Sequence, residues 1–472
     1  FLNTVFMPAS IESFDARPQI QPPLDPAFRP AATWNRAFGE LVAASGNPAP
    51  IRFALEQSAC SIFCHEAEIL PSQHPQAKLN FRFTERLLKF LLWSRGGHRV
   101  YFDGPLELGE ALSAHFKDTA TGRFDADFMS TVYERPFEIL LTTDLPSEQD
   151  AARQLGRHLD GCRIGFDLGG SDRKVAAVVD GEVVFSEETA WDPYYQEDPG
   201  YHREGIADSL SKAASHLPQV EAIGGSSAGV YVENQPRVAS LFRGVSEERF
   251  DTEVKPIFRN LSKEWDVPFE VINDGDVTAL AGSMSLGENA VLGLAMGTSE
   301  ATGYVNAEGK VTTWLNELAF APVDYAEDAP ADEWSGDWGC GVQYFSQQAV
   351  GRLLSPAGID LPGDLPLPEK LVEVQNLMGS DDPRACKIYE TVGVYLGYGV
   401  AHYADLYNMR NLLLLGRVTS GQGGQIILDQ ADNVLKTEFP ELAERVAFHV
   451  PNEKDKRHGQ AIAAASLPVI ER

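Results

Sequence analysis

Two glycine turns, each set between strand-like runs, most constrain what this chain can fold into. The first is Asp167-Leu168-Gly169-Gly170-Ser171, inside CRIGFDLGGSDRKVAAVV, and the second is Gly297-Thr298-Ser299, with Gly303 beyond it, inside NAVLGLAMGTSEATGYV. Each lies at a hairpin tip and not between a strand and a helix, so neither a P-loop nor a dinucleotide fingerprint applies. Glycine at a hairpin tip lets backbone N–H groups approach an anion closely, forming a nest for phosphate oxygens. Either turn alone is equally well read as a plain glycine-rich β-turn. The pair carries more weight, because a strand-to-helix junction bearing an acid, Val271-Ile272-Asn273-Asp274, lies between them.

These residue types define candidate roles. Ser171 can add a hydroxyl donor to the first turn. Asp167, at the strand end before it, could hold Mg²⁺ through water, since Mg²⁺ gives up its waters reluctantly. Asp274, opening a helix, has an ordinary reading as an N-cap. Between two phosphate-type hairpins it reads instead as a general base, because phosphoryl transfer to an alcohol needs a carboxylate to orient the hydroxyl and accept its proton. Asn273 could hold a further substrate hydroxyl. Arg173 and Lys174 could neutralise phosphate or simply be solvated. Cys60, Cys64 and His65 resemble a metal cluster, but in a strand His65 points away from the two thiols, so a packed core is expected there.

Strands and helices alternate up to about residue 160, an α/β pattern, and a different arrangement of strand pairs around glycine turns follows. Residues 1–160 form a unit of their own. The Pro-rich stretch to Pro50 reads as a wrapping arm, followed by strands in IRFALEQ and SIFCHEAEI, a helix from Phe83 to Ser94, further strands at HRVYFDG and PFEILLTTDLP, and helices at LELGEALSAHF and EQDAARQLGRHL. Beyond residue 160, Asp180-Gly181 between β-branched runs signals a hairpin. The late chain holds a long helix (Tyr389 to Tyr407), a buried strand (Asn411 to Leu415) and a final helix (Gly459 to Leu467).

The 472 residues suggest two or three packed units. A formal net charge of −29 argues against nucleic acid and anionic membrane surfaces as partners. It would also repel a nucleotide at long range, so a phosphate site must rest on local N–H groups and a metal ion. Five scattered cysteines suit free thiols. No apolar run is long enough to span a membrane, and the expectation is a cytoplasmic protein.

The ordered set DLGGS, GGSSAGV, VINDGD, AMGTSEATG and LLLLGRV resembles the ROK family of sugar kinases and regulators, within the hexokinase, actin and chaperone superfamily. The resemblance runs from about Cys162 to the C-terminus. It implies a two-lobed, ribonuclease H-like actin/hexokinase fold with an additional N-terminal α/β region. The small lobe would span 161–287, joined by a C-terminal helix over 446–472, and the large lobe 288–445. It implies ATP with Mg²⁺ in the cleft, a small sugar-like substrate and an assembly that can be a homodimer. Asp167, Gly169, Gly170 and Ser171 match the first phosphate motif, and Gly297, Thr298 and Ser299 the second. Asn273 and Asp274 match the sugar-binding and catalytic pair. The Ser226–Gly229 turn, with Ser227 and Gly229, matches a sugar-proximal Pro-Gly turn, Ala228 replacing the proline. Glu317 resembles a Glu that contacts sugar hydroxyls. Gly416 falls at the nucleoside, where Arg417 replaces a second glycine.

The zinc site common in that family is not expected. Phe320 stands where its His would be, and GDWGCGVQYFS keeps only Cys340, while a closed site needs four ligands. Val342, with Gln343 beside it, takes the place of a further sugar-contacting Glu. Asp324, Asp328, Asp332 and Glu333 read as a solvated acidic loop. A sugar-sensing regulator and a fold that has lost activity remain as rivals to a kinase.

Overall fold

Apolar strands bounded by glycine and Asp-Gly turns build three principal sheets in the computed structural model, which describes Phe14 and residues 16–149, 155–450 and 459–470. The N-terminal module comprises α1 (Ala31–Ala44), β1 (Ala49–Ser58), β2 (Ser61–Ile69), α2 (Leu79–Arg95), β3 (Arg99–Asp103), α3 (Leu106–Asp118), α4 (Ala120–Tyr133) and β4 (Glu138–Leu141), with its sheet in the order β2-β1-β3-β4.

The next unit contains β5 (Cys162–Leu168), β6 (Asp172–Val179), β7 (Glu182–Ala190), α5 (Pro199–Ala214), β8 (Ala222–Ser227), the two-stranded ribbon β9 (Val230–Val232) and β10 (Gln235–Val238), the short α6 (Glu247–Arg249), α7 (Ile257–Trp265), β11 (Phe269–Asn273) and α8 (Asp274–Leu286). Its sheet runs β11-β8-β5-β6-β7: an antiparallel meander flanked by two strands parallel to β5.

The last unit contains β12 (Val291–Met296), β13 (Glu300–Val305), α9 (Gln347–Leu353), α10 (Leu367–Gly379), α11 (Pro383–Ala404), β14 (Asn411–Leu415), α12 (Gln422–Glu438), α13 (Pro440–Arg445), β15 (Ala447–His449) and α14 (Gly459–Ala465). Its sheet, β13-β12-β14-β15, again pairs a hairpin with parallel strands. Two such sheets make the α/β architecture that of the ribonuclease H-like, two-lobed fold, with the N-terminal region added. Among the described residues no helix is long and apolar enough to cross a membrane.

Several local expectations need correction. The Pro-rich stretch does wrap the last unit: Gln19 N donates to Glu438 Oε1 at 2.7 Å and Leu24 N to Thr391 Oγ1 at 3.2 Å. It ends at Pro30, however, and the alanine-rich segment after it is helix α1. Helix α4 was not expected either; Thr119 caps it, its hydroxyl accepting from Gly122 N at 3.0 Å. Of the helix expected over EQDAARQLGRHL, residues 150–154 lie outside the described residues, and flanking Gln149 and Leu155 form β-bridges to Ile62 and Val311. The C-terminal stretch read as helical from 446 opens with β15, which extends the last sheet, before 451–458, outside the described residues, and α14. Cys60 is exposed in the β1–β2 turn and not packed in a core.

The acidic loop is also not uniformly solvated. Asp328 and Glu333 are exposed, but Asp324 and Asp332 are buried. Asp324 accepts from the Tyr344 hydroxyl at 2.6 Å, and Asp332 from Ser335 N at 2.7 Å. Beside them, α2 drives two cations into the loop that resembles the family's Cys-rich turn. Lys89 Nζ lies 2.9 Å from Asp125 Oδ1 and 2.8 Å from Asp337 Oδ2, and Arg86 Nη2 lies 3.0 Å from Asp337 Oδ2. Trp93 Nε1 adds a 2.9 Å bond to Asp125 Oδ1. Burial opposes the charge on Asp337, but Arg86 and Lys89 hold its carboxyl well below the usual range. Glu85, at 2.6 Å from Arg86, completes a set of five buried charges that satisfy one another beside this loop.

Asp337→Ala removes one acceptor from both cations, while Glu85 stays paired with Arg86 at 2.6 Å and Asp125 with Lys89, so it should lower unfolding free energy by about 1–3 kcal/mol. Equilibrium denaturant unfolding measures this, and a chelator should leave the wild-type midpoint where it is. A near-neutral Asp337→Ala or a chelator-sensitive midpoint would contradict this account of the loop.

Candidate active site at the strand ends

Parallel strands in open α/β sheets present ligands at their carboxyl ends. Here β5, β8 and β11 finish in a row, with Leu168 paired to Ser227 and Ser227 to Asn273. The chain turns from β11 into α8 at Asn273, which is the helix cap. Its Oδ1 accepts from Gly275 N at 2.6 Å, and its Nδ2 donates to Gly229 O at 2.8 Å. The capping role considered for Asp274 therefore belongs to its neighbour. Asp274 is the first helical residue, half-buried, at the end where the helix dipole favours an anion.

Glycine fixes how deep this helix sits. A Cβ at Gly275 would lie 2.3 Å from Thr302 O, and one at Gly303 would lie 2.3 Å from Gly275 O. The first turn of α8 therefore touches β13 backbone to backbone.

Carboxyls crowd this point. Burial and the nearby Asp167 push the Asp274 carboxyl up to about 6. Burial and Asp274 push Glu317 up to about 7. Burial pushes Asp276 up to about 8, although Asn316 Nδ2 donates to its Oδ1 at 2.9 Å. Burial also raises Asp167, against a 2.7 Å bond from the Ser226 hydroxyl and the field of Lys174, whose Nζ lies 4.0 Å from Oδ2. Such a cluster favours a bound cation. Among the described residues no three acidic, His or Cys groups converge to chelate one directly. The arrangement fits Mg²⁺ held by one carboxylate, waters and substrate phosphates.

The first glycine turn follows Leu168. Gly169 N donates to Asp172 O at 2.9 Å, while Trp191 Nε1 donates to Gly169 O at 2.7 Å. The Ser171 hydroxyl donates to Asp172 Oδ2 at 2.9 Å. A Cβ at Gly170 would lie 2.0 Å from the Tyr194 hydroxyl. Lys174 pairs with Asp172 at 3.2 Å, and Arg173 is taken up by Asp208 and Ser209. In the second turn Gly297 N donates to Ser299 O at 3.0 Å, and Thr298 and Ser299 are exposed. Gly416, at φ 98°, ends β14 beside this turn; a Cβ there would lie 2.3 Å from Met296 O.

Two cavities meet the junction. One of about 220 Å³ is bounded by Asp274, Gly275, Thr278, Ala295, Ala301 and Leu415, between α8 and the last sheet. Another of about 440 Å³ is bounded by Asn273, Glu317 and Tyr231 among others. Ser227 is fully buried, and its hydroxyl lies 2.6 Å from that of Tyr231. Tyr231 is the site residue that sequence reasoning missed. Its signal was a tyrosine inside the valine ribbon just after Gly229. Val342 and Gln343 are buried, with Gln343 Nε2 bonded to Gln348 Oε1 at 2.6 Å.

This fold recurs among solved structures. A ROK hexokinase from Thermus thermophilus superposes with a TM-score of 0.51 at 19% identity, over 65% of this chain and 97% of its own. A ROK-family transcriptional regulator, a homologue of the E. coli MLC protein, does so with a TM-score of 0.51 at 18% identity, over 66% of this chain and 79% of its own. No protein-family model and no curated protein matches the sequence. The chain thus has the ROK-type fold, with the N-terminal region outside the shared part.

A carboxyl raised by folding is most favourable to the native state while protonated, and its contribution is lost as pH rises through its folded value. Asp274→Asn removes that loss. Its stability relative to wild type should therefore grow between about pH 4 and about pH 7. Denaturant unfolding across this range checks the sign, and a difference independent of pH would contradict it.

Proposed function

We propose that this chain transfers the γ-phosphoryl group of ATP to a hydroxyl of a small sugar-like substrate. The observation that carries the reading is Asp274: the first carboxyl of a helix N-terminus, raised to about 6, at the end of the parallel strands and on the wall of the cavity of about 220 Å³, with Asn273 next to it on the wall of the larger one. A base poised near neutral pH is ionised enough to act and basic enough to take a proton.

In this reading Asn273 and Glu317 orient the acceptor from the larger cavity, with Tyr231, Ser227 and Gly229 shaping that wall. Asp274 accepts the hydroxyl proton as oxygen attacks phosphorus. Backbone N–H groups of the Gly169-Gly170-Ser171 and Gly297-Thr298-Ser299 turns cradle the phosphate oxygens, and Gly416 leaves room for the nucleoside. Asp167 would hold Mg²⁺ through water; bound there, the ion offsets phosphate charge among the clustered carboxyls. The fold shared with the Thermus hexokinase supports this assignment. The fold is shared equally with a regulator, which keeps a non-catalytic sugar sensor as the second reading. The net charge of −29 speaks against DNA as its target.

Asp274→Ala should lower kcat by about 10²–10⁴-fold, with ATP affinity retained. An ATP-consumption screen over hexoses, amino sugars and polyols, with ATP binding by calorimetry, reads both quantities. Unchanged turnover in the variant removes Asp274 from the chemistry; no turnover by the wild type across the panel favours the sensor.

The same pair of acids sets the pH profile. Wild-type kcat/KM should fall as pH drops through about 6–7, where Asp274 and Glu317 titrate as a coupled pair. Glu317→Gln removes the member of the pair that titrates higher and should leave a single acid limb near 6, set by Asp274. A limb that stays in place separates Glu317 from the base.

A further inference from the structure

The larger cavity is not enclosed by the two lobes alone. Part of its wall is the β1–β2 turn, with Ser58, Cys60 and Ser61, and another part is the end of α4, with Val132 and Tyr133. Both pieces are tied to the rest of the cleft. Gln57 Nε2 donates to Thr313 O at 3.0 Å, and Ser61 Oγ donates to Gln57 Oε1 at 2.9 Å. Thr313 lies on the same segment as Glu317. At the end of α4, Glu134 pairs with Arg237 at 2.5 Å and with Lys255 at 3.0 Å, both beyond the β9–β10 ribbon's first strand. The module therefore grips the cavity from both sides.

The chemistry of the wall restricts what it can take. Glu233, Glu270, Asp276 and Glu317 face the cavity, and among the described residues that bound it none is lysine or arginine. Asp276 and Glu317 hold protons near neutrality and Glu233 is already paired with Arg259 at 3.0 Å, so an anionic acceptor would find no cation on this wall to receive it. The N-terminal contribution is uncharged: hydroxyls, a thiol, a phenol and a valine. At about 440 Å³ the space lies in the usual range for small-ligand pockets and is more than one pyranose ring fills.

We infer that the N-terminal module determines acceptor specificity, its β1–β2 turn and α4 end receiving a neutral substituent, a glycosidic or N-acyl group, on a sugar whose hydroxyls Asn273 and Glu317 hold. This rests on the kinase reading for the fate of the sugar, but not for its recognition. Cys60 is an exposed thiol on that wall and reports occupancy directly.

The experiment is alkylation of the full chain by iodoacetamide, followed peptide by peptide by mass spectrometry, with glucose, N-acetylglucosamine, maltose or glucose 6-phosphate present. Cys386, on α11 away from the cavity, is the reference thiol. A probe at about ten times its Kd leaves about a tenth of the sites free. N-acetylglucosamine or maltose should therefore slow Cys60 by up to about tenfold, glucose by less, and glucose 6-phosphate not at all, with Cys386 constant. Equal Cys60 rates under all four probes would overturn the inference, as would protection by glucose or glucose 6-phosphate matching the best substituted sugar. Cys60→Trp, which fills the wall, should raise the acceptor KM at least about tenfold while the KM for ATP holds; an unchanged acceptor KM sinks the proposal. If no probe supports ATP turnover and a substituted sugar still shields Cys60, the kinase reading fails and substituent recognition stands.

Discussion

The backbone contact between the first turn of α8 and β13 is the constraint on which the site depends. With hydrogen alone on the α-carbons of Gly275 and Gly303, the helix enters the gap between the two large sheets without a side chain to hold it off. Its apolar residues Val277, Ala279 and Leu280 then form one core with Val291 and Val305 of the last sheet and Ala463 and Ala464 of α14. Helix α14 is seated by the same device against the other sheet, since a Cβ at Gly165 or Gly224 would lie 1.7 Å from Ala461 O or Ala464 O. Asp274 is consequently placed by close-packed main chain beside a cavity; Asn273 caps the helix, and the Asp274 carboxyl keeps one bond, from Gly275 N at 3.0 Å.

That placement also explains the electrostatics. Asp167, Asp274, Asp276 and Glu317 come from three different elements and converge because strand ends, a helix start and the segment after β13 meet at one point. Each raises the cost of ionising another, so the site holds protons near neutrality even though the molecule as a whole is strongly acidic. A cation or a proton resolves the crowding, which is the property a phosphoryl-transfer site exploits.

Much of the architecture was legible in the sequence because it is locally determined. The Asp180-Gly181 turn, the two glycine turns and the strand Asn411 to Leu415 all lie where their own residues dictate. What was not legible depends on distant partners. Asp324 and Asp332 read as solvated because no neighbouring residue announces the Tyr344 hydroxyl or the buried turn that satisfies them. Helix α4 carries a glycine and several polar residues and is stabilised by its cap and by packing on the β9–β10 ribbon more than by propensity. The identity of the cap, Asn273 and not Asp274, turned on side-chain geometry that adjacent letters do not encode. The contribution of Cys60 and Tyr133 to the cavity required knowing that the N-terminal module folds over the cleft.

The buried ion cluster on α2 has a further consequence, one of timing. Arg86 and Asp337 are 251 residues apart in the chain. Glu85 and Asp125 leave the ribosome early, so Arg86 and Lys89 each have a partner inside the first module before Asp337 exists. Synthesis proceeds at only about 5–20 residues per second, so the third carboxylate arrives late. Its bonds then tie a module already able to pack to the segment that follows it.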